Sequence, residues 1–399
     1  MSKWEMVRLG DVCIIERGGS PRPIEKYITD DENGVNWIKI GDTSPNSMYI
    51  TNTKEKIKPE GMKKSRQVHT GDFLLSNSMS FGRPYILKID GCIHDGWLLI
   101  RDEYGIFDKR FLYYYLGSDK TYAEFKGLAV GGVVNNLNST MVRNLKVLLP
   151  PLEVQRKIAD VLDRASALLE KRKAQLDKLD LLVKSRFVEM FGDPVRNPMG
   201  WDTIALSKIT SKIGSGATPK GGQESYVSEG ISLVRSMNVH NGYFKYDDLV
   251  FITEEQAKQL DNVTLQENDV LLNITGASVA RSCIVPFEVL PARVNQHVSI
   301  LRCNPTHLNH SYANTMLISD SYQHYLLSIG ESGGATRQAI TKQQIEEFII
   351  PLPPIKLQTR FADFVRATDK SKIAMQLSLA KLELNYKSLM QKCFNGEVF

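Results

Sequence analysis

The chain is written twice. Pro150-Pro151-Leu152-Glu153-Val154-Gln155 recurs as Pro353-Pro354-Ile355-Lys356-Leu357-Gln358, and from there the offset holds at 203 to the end, through Leu176/Leu379, Lys184/Lys387 and Phe191/Phe394. Upstream the two copies keep step with small drifts. Trp4-Glu5-Met6-Val7-Arg8-Leu9 matches Trp201-Asp202-Thr203-Ile204-Ala205-Leu206, and Trp37-Ile38-Lys39 matches Leu233-Val234-Arg235. Gly71-Asp72-Phe73-Leu74-Leu75 matches Asn268-Asp269-Val270-Leu271-Leu272, and Ser80-Phe81-Gly82-Arg83 matches Ser278-Val279-Ala280-Arg281. A period near 200 residues is far longer than a solenoid repeat; it is a whole domain plus a connector. The expected order is module, helix, module, helix, with boundaries at 1–150, 151–195, 196–353 and 354–399.

The modules read as mixed α/β (α+β). Short apolar runs such as Phe73-Leu74-Leu75, Trp97–Ile100, Val270–Leu272 and Val298–Leu301 are bounded by Gly, Asn and Asp, which predicts strands. Phe107–Ser118 and Leu308–Ser319 read as short helices.

The connectors read differently. Pro suits a helix start, so Pro151 and Pro354 mark openings. Apolar residues then alternate at three and four: Ile158, Leu162, Ala165, Leu169, Arg172, Leu176, Leu179, Val183, Arg186, Met190. The second copy runs Phe361, Val365, Thr368, Lys372, Met375, Leu379, Leu382, Tyr386, Leu389, Cys393. Gly192 and Gly396 are the stops. About 36 residues at 1.5 Å each predict helices of ~54 Å. A stripe of that length must be buried, and the stripe of matching length is its own repeat. Two long antiparallel helices with pseudo-two-fold symmetry follow, with the modules at opposite ends. The competing arrangement packs each helix on its own module alone.

No run of the chain reaches the ~18 apolar residues of a membrane span. The opening Met1-Ser2-Lys3-Trp4-Glu5 has no signal-peptide character, and the five cysteines are scattered without a CxxC. A cytoplasmic protein with reduced thiols is expected. Net charge is +5, from 50 basic and 45 acidic residues, so binding to a polyanion rests on local placement of Lys and Arg. The one basic cluster, Lys54–Arg66, is either a solvated loop or a phosphate contact.

Catalytic signatures are missing. Gly216-Ala217-Thr218-Pro219-Lys220-Gly221 continues Gly222-Gln223, so it is no Walker loop. His307-x-x-His310 lacks the carboxylate or thiol partners of a metal site. Neither HExxH nor an Asn/Asp-Pro-Pro-aromatic signature is present. A duplicated chain without a catalytic constellation points to a recogniser. Two readers on one face of duplex DNA sit about one helical turn apart, ~34–36 Å, which a ~54 Å strut can span. Similar helices offer two near-equivalent docking surfaces. The rivals are a two-module protein-interaction scaffold without DNA specificity, and an enzyme whose site is not legible.

Together these motifs resemble the specificity subunit of type I restriction–modification systems over essentially the whole chain. They are the two Trp-x-x-x-x-Leu openings, the Gly-Asp-x-Leu-Leu and Ser-x-Gly-Arg turns, the doubled Pro-Pro-x-x-x-Gln helix starts and Phe191-Gly192-Asp193-Pro194. The resemblance implies two target recognition domains, each reading one half of a split, asymmetric site in double-stranded DNA. It implies helices that space them and dock two modification (methyltransferase) subunits, with restriction subunits in the full complex. No cofactor is implied in this chain. S-adenosylmethionine belongs to the partner that methylates adenine, and ATP and Mg to the restriction subunit.

Candidate DNA contacts are polar turns beside strand ends. In the first module these are Lys39, Ser76, Asn77, Ser78, Ser80, Arg83, Asn135 and Asn136. In the second they are Arg235, Asn238, His240, Asn273, Thr275, Ser278, Arg281, Arg337 and Gln338. Arg bonds guanine bidentately, Asn and Gln adenine, and Ser either a base or a phosphate. The competing role for each Ser and Asn is to cap its own turn.

Overall fold

The computed structural model describes residues 4–44, 47–77, 82–129, 136–219, 221–332 and 338–399. The chain divides into two compact units. The first joins Met1–Lys173 to Ser378–Phe399, and the second is Ala174–Leu377. Each therefore combines one module with parts of both long helices.

In the first unit a five-stranded sheet runs in the order Ile14–Arg17, Trp97–Arg101, Phe73–Ser76, Pro84–Leu87, Tyr49–Ile50. The short apolar runs are continuous because this sheet is covered on both faces, and side chains alternate across a strand. Phe73, Leu75, Leu98 and Ile100 enter the core beneath the helices. Leu74, Trp97 and Leu99 enter a second core on the opposite face. A second five-stranded sheet, Ile28–Thr29, Glu55–Ile57, Val35–Ile38, Gly91–Ile93, Arg66–Val68, lies beyond it in the chain's topology. The second unit repeats the plan. Val270, Leu272 and Leu301 face one core, and Leu271, Val298 and Ile300 face the other. Its sheets are smaller among the described residues: Thr210–Ser215, Val298–Cys303, Val270–Asn273, Ser282–Ile284 in one, and Val250–Ile252, Ile231–Val234, Ala292–Val294 in the other.

The ends of each module are held side by side. Glu5–Arg8 pairs antiparallel with Lys146–Leu149, and Thr203–Ala205 with Ile349–Pro351. This explains why the repeat opens at a Trp and closes at Pro-Pro: both motifs flank the same two-stranded closure.

The predicted short helices are Lys109–Leu116 and His310–Leu317, each capped by the preceding side chain. Asp108 accepts from Arg110 N–H at 3.0 Å, and Asn309 from Ser311 N–H at 2.9 Å. Capping at 108 and 309 sets later starts than the sequence pattern predicts.

The long helices are Leu152–Phe191 (40 residues) and Ile355–Asn395 (41 residues). They exceed the expected 36 because they begin directly after Pro151 and Pro354, ahead of the first stripe residue. Every position of both predicted stripes is buried or half-buried. In the second unit the two helices run antiparallel. Asp180 pairs with Lys372, the Arg186 guanidinium lies over Phe364, and Phe187 and Phe191 meet the Phe361 ring at 5.6 and 5.4 Å. In the first unit Ile158, Ala159 and Leu162 share a core with Cys393 and Phe394. Phe394 stands edge-on to Phe111 and Tyr115 at 5.8 and 5.1 Å. Helices thus pack on each other and on modules at once, combining the two arrangements the stripe allowed. Gly192 and Gly396, at φ of 77° and 76°, end them as expected.

Candidate nucleic-acid interface

Three clasps build equivalent frames in the two modules, the first two of them around buried side chains. The first explains the doubled Pro-Pro-x-x-x-Gln. The fully buried Gln155 accepts from Asp108 N–H at 2.8 Å and donates to Ile106 and Pro150 carbonyls at 3.0 and 2.8 Å. Gln358 does the same with Asn309 N–H and the His307 and Pro353 carbonyls, at 2.8, 3.0 and 2.8 Å. One amide thus ties each long helix to the cap of its module's helix. His307, read as helix-spaced with His310, lies in this clasp ahead of the helix.

The second clasp is the Asp of Gly-Asp-x-Leu-Leu. Asp72 takes Arg101 Nε and Nη2 at 2.9 and 2.6 Å, and Asp269 takes Arg302 at 2.8 and 2.7 Å. The preceding residues need a left-handed backbone, φ of 96° at Gly71 and 68° at Asn268, which Asn tolerates. The next turn repeats this at Gly82 (72°) and Ala280 (71°). The second module's departures from the glycine pattern keep the geometry unchanged.

The third clasp is not marked by the longer repeated motifs. Gly18-Gly19-Ser20-Pro21 and Gly216-Ala217-Thr218-Pro219 cross the ends of the only parallel strand pairs within the two smaller-core sheets among the described residues. Gly18 and Gly216 are pressed onto carbonyls; a Cβ would stand 2.0 Å from His94 O and 1.7 Å from Val294 O. The hydroxyl then meets the turn that follows the parallel strand. Ser20 Oγ donates to Asp95 Oδ1 at 3.0 Å, and Thr218 Oγ1 to Gln296 Oε1. The four-residue repeat was the available signal, short enough to be lost between the longer anchors.

The predicted residues gather around these turns. Ser76 and Asn77 are buried. Ser76 Oγ accepts from Arg83 N–H at 3.0 Å, and Asn77 Nδ2 donates to Asp95 O at 2.8 Å. Arg83 lies 5.6 Å over the Tyr85 ring. Lys39 pairs with Glu55 beside His94, whose Nε2 accepts from Ile40 N–H at 3.2 Å. Asn136 is exposed. Asn238 and Asn273 are fully buried and spend their amides inside. Asn238 donates to Lys245 O and accepts from Arg235 N–H, both at 3.0 Å, while Asn273 donates to Ser236 O at 2.8 Å and Ser278 Oγ at 3.2 Å. Arg235 donates to Asp248 O and lies 5.6 Å over Tyr226. Thr275 bonds His297 Nδ1, His240 stacks on Tyr243, and the Gln338 carbonyl accepts from Gly276 N–H at 3.0 Å. Arg281 is half-buried with no side-chain partner identified among the described residues. Ser78, Ser80, Asn135 and Arg337 lie outside the described residues.

Around the first turn lies a cavity of about 720 Å³, floored by Pro21, Ile24, Ile28 and Trp37 and rimmed by Arg22, Lys39 and Asp95. Burial opposes ionisation of Asp95, yet the Ser20 hydroxyl and His94 hold its carboxyl below the usual range. Burial pushes the His94 imidazole down, with Asp95 opposing. Of the Lys54–Arg66 cluster, Lys56 donates to Glu32 O at 3.0 Å, Lys64 to Tyr27 Oη at 2.8 Å, and Arg66 pairs with Glu16 at 3.2 Å. Burial lifts the thiols of Cys13, Cys283 and Cys303 to about 12. Among the described residues no helix is long and apolar enough to cross a membrane.

Comparison with known proteins agrees with this duplicated architecture. The family model described as the type I restriction modification DNA specificity domain matches residues 1–178 and again 198–383. The type I restriction enzyme MjaIX specificity subunit of Methanocaldococcus jannaschii is 24% identical over 419 residues, covering 99% of this chain and 93% of that protein. The EcoBI specificity subunit of Escherichia coli is 22% identical over 324 residues, covering 73% of this chain and 66% of its own. Among solved structures, a chain from work on assembly and conformational transition of the type I R-M system aligns at TM-score 0.64 and 19% identity, covering 99% of this chain and 98% of its own. The type I S subunit from M. genitalium aligns at 0.55 and 14%, covering 98% and 96%. These likenesses carry the fold.

Proposed function

Because this chain belongs to the type I restriction–modification DNA specificity family, matched once in each half, we propose that it is the non-catalytic specificity subunit of such a system. Residues 1–150 and 196–353 each read one half of a bipartite, asymmetric site in double-stranded DNA. The exposed Asn136 and the half-buried polar groups at the turns, Arg83, Thr275, Arg281 and Gln338 with Lys39, Arg235 and His240, are the contact candidates, together with Ser78, Ser80, Asn135 and Arg337. The buried Ser76, Asn77, Asn238 and Asn273, with Ser278 beside them, hold those turns in place. The chain carries no cofactor of its own; S-adenosylmethionine serves the modification subunit, and ATP and Mg the restriction subunit. The whole complex works in the cytoplasm.

The observation that carries the reading is repetition with variation. The frames close with the same bonds, while the loops they hold differ in almost every residue. Two copies of the modification subunit dock on the long helices. Leu181 and Leu384 occupy equivalent repeat positions and are exposed at 62% and 69%, which large apolar residues on a helix leave open for a partner. The scaffold rival, without DNA specificity, offers no reason for a family match in each half.

The test is selection from a randomised duplex library by the chain co-purified with its methyltransferase subunit. A split motif with one fixed gap is expected. Exchanging residues 196–353 for another such module changes one half only. Inserting four residues near Ser185 shifts the preferred gap and leaves both halves intact. Selected sequences without a split motif overturn the reading.

A further inference from the structure

The third clasp does chemistry that the frame alone does not need. Two parallel strands end level in each module, Val35–Ile38 beside Gly91–Ile93 and Ile231–Val234 beside Ala292–Val294. Where neighbouring parallel strands end together and their loops depart, a crevice is left for a ligand. In the first module that crevice is the cavity of about 720 Å³. At its rim Asp95 is held by four groups, two at its carboxylate and two at its backbone carbonyl. Ser20 Oγ and Arg22 Nη2 reach its oxygens at 3.0 and 3.5 Å. Asn77 Nδ2 and Arg17 Nε fix its backbone carbonyl at 2.8 and 3.2 Å. In the second module the matching place is held by the exposed Gln296, oriented by Thr218 and by His297, whose Nε2 lies 3.1 Å from its amide nitrogen. The same hydroxyl clasp therefore presents an acceptor-only carboxylate in one module and a donor–acceptor amide in the other.

We propose, resting on the reading above, that Asp95 and Gln296 are equivalent base-reading residues. Asp95 accepts from the exocyclic amino group of a cytosine in the half-site of the first module. Gln296 bonds an adenine bidentately in the half-site of the second. The chemistry follows from donor and acceptor patterns: a carboxylate suits the cytosine N4 amino group, and a carboxamide the paired N6 and N7 of adenine. Arg22, 82% exposed and only loosely paired to Asp95, is free to swing to the phosphate beside that base. Lys39 is held by Glu55 and shapes the rim.

The test is reciprocal. Asp95→Asn keeps an oxygen for the Ser20 hydroxyl but adds a donor, and Gln296→Glu removes one. Each is assembled with the modification subunit and selected against the randomised duplex library. Asp95→Asn is expected to move one position of the first half-site from cytosine toward adenine, by roughly 5- to 100-fold in relative affinity, with the second half unchanged. Gln296→Glu is expected to do the opposite at one position of the second half-site. A uniform loss over all sequences makes these phosphate contacts and overturns the proposal, as does an unaltered motif. Should the Asp95 variant not assemble, the exposed Gln296 variant decides by itself. If wild type selects no split motif, the subunit reading fails instead.

Discussion

The two modules differ least where polar groups are buried and most where they meet solvent. Gln155 and Gln358 make three matching bonds each, and the Asp72–Arg101 and Asp269–Arg302 pairs are both bidentate. By contrast the second sheet of the first module has five strands and carries Trp37 in a separate small cluster with Ile57 and Cys92, while that of the second module has three strands and Leu233 at that position. A buried polar group lacking its partner costs its full desolvation, so the frame has little freedom to change. A turn facing water carries no such penalty.

The comparison breaks most visibly at the glutamines. Gln155→Leu leaves Asp108 N–H and the Ile106 and Pro150 carbonyls without partners, and Gln358→Leu does the same to Asn309, His307 and Pro353. Each is expected to lose about 4 kcal/mol of stability. Urea titration followed by circular dichroism measures it. Losses that differ by more than about 2 kcal/mol between the two variants mean the clasps are not equivalent in energy.

That motif was legible as letters and illegible as a mechanism. Spacing places Gln155 four residues after Pro151, but its partners lie 47 and 49 residues upstream, which no local pattern reveals. The helical stripes were legible in full, because a three-four alternation held from Ile158 to Met190, and again from Phe361 to Cys393, has a single solution. Phe187 and Phe394 fall off the stripe yet are buried, since they serve the modules rather than the opposite helix. Polar turns were legible as sites, but not their orientation. Asn77, Asn238 and Asn273 look like adenine readers in the sequence and are turned inward by hydrogen bonds to distant backbone. Asp95 and Gln296 are not legible in the sequence, because a carboxylate and an amide without a repeated letter between them do not align.

A smaller effect sharpens the comparison at the turn after Ser76 and Asn273. Ala280 holds φ of 71° without being glycine, where a Cβ crowds the backbone. Ala280→Gly is expected to stabilise the second module by about 0.5–1 kcal/mol, the relief being partly offset by glycine's entropy. Gly82→Ala is expected to cost about 1–2 kcal/mol, because its Cβ adds the same crowding and stands 3.3 Å from the Phe125 ring. Shifts in the urea midpoint check both. An Ala280→Gly variant no more stable than wild type means the second turn has relaxed in a way the first has not.

The smallest effect separates the modules by pH. His94 lies between Trp37 and Trp97, at 6.4 and 6.3 Å, with its Nε2 3.2 Å from Ile40 N–H and its Nδ1 2.9 Å from Gly96 N–H. A neutral imidazole accepts one of these bonds, and a protonated ring neither. Burial lowers its pKa from 6.5, Asp95 opposes, Lys39 adds to the lowering and Asp42 opposes. The unfolded chain therefore takes up the proton first. Stability from this site is complete above about 6.5 and is lost as pH falls toward the depressed folded value. Burial likewise lowers His310 in the second unit, so acid weakens both. His94→Gln, which still presents an acceptor, is expected to flatten only the part of the pH slope reported by Trp37 and Trp97. Urea midpoints at pH 7.5 and 5.5 from tryptophan emission, read in a background where Trp4 and Trp201 are changed to Phe so that Trp37 and Trp97 alone report, measure that slope, and an unchanged slope in the variant places the acid sensitivity in the second module.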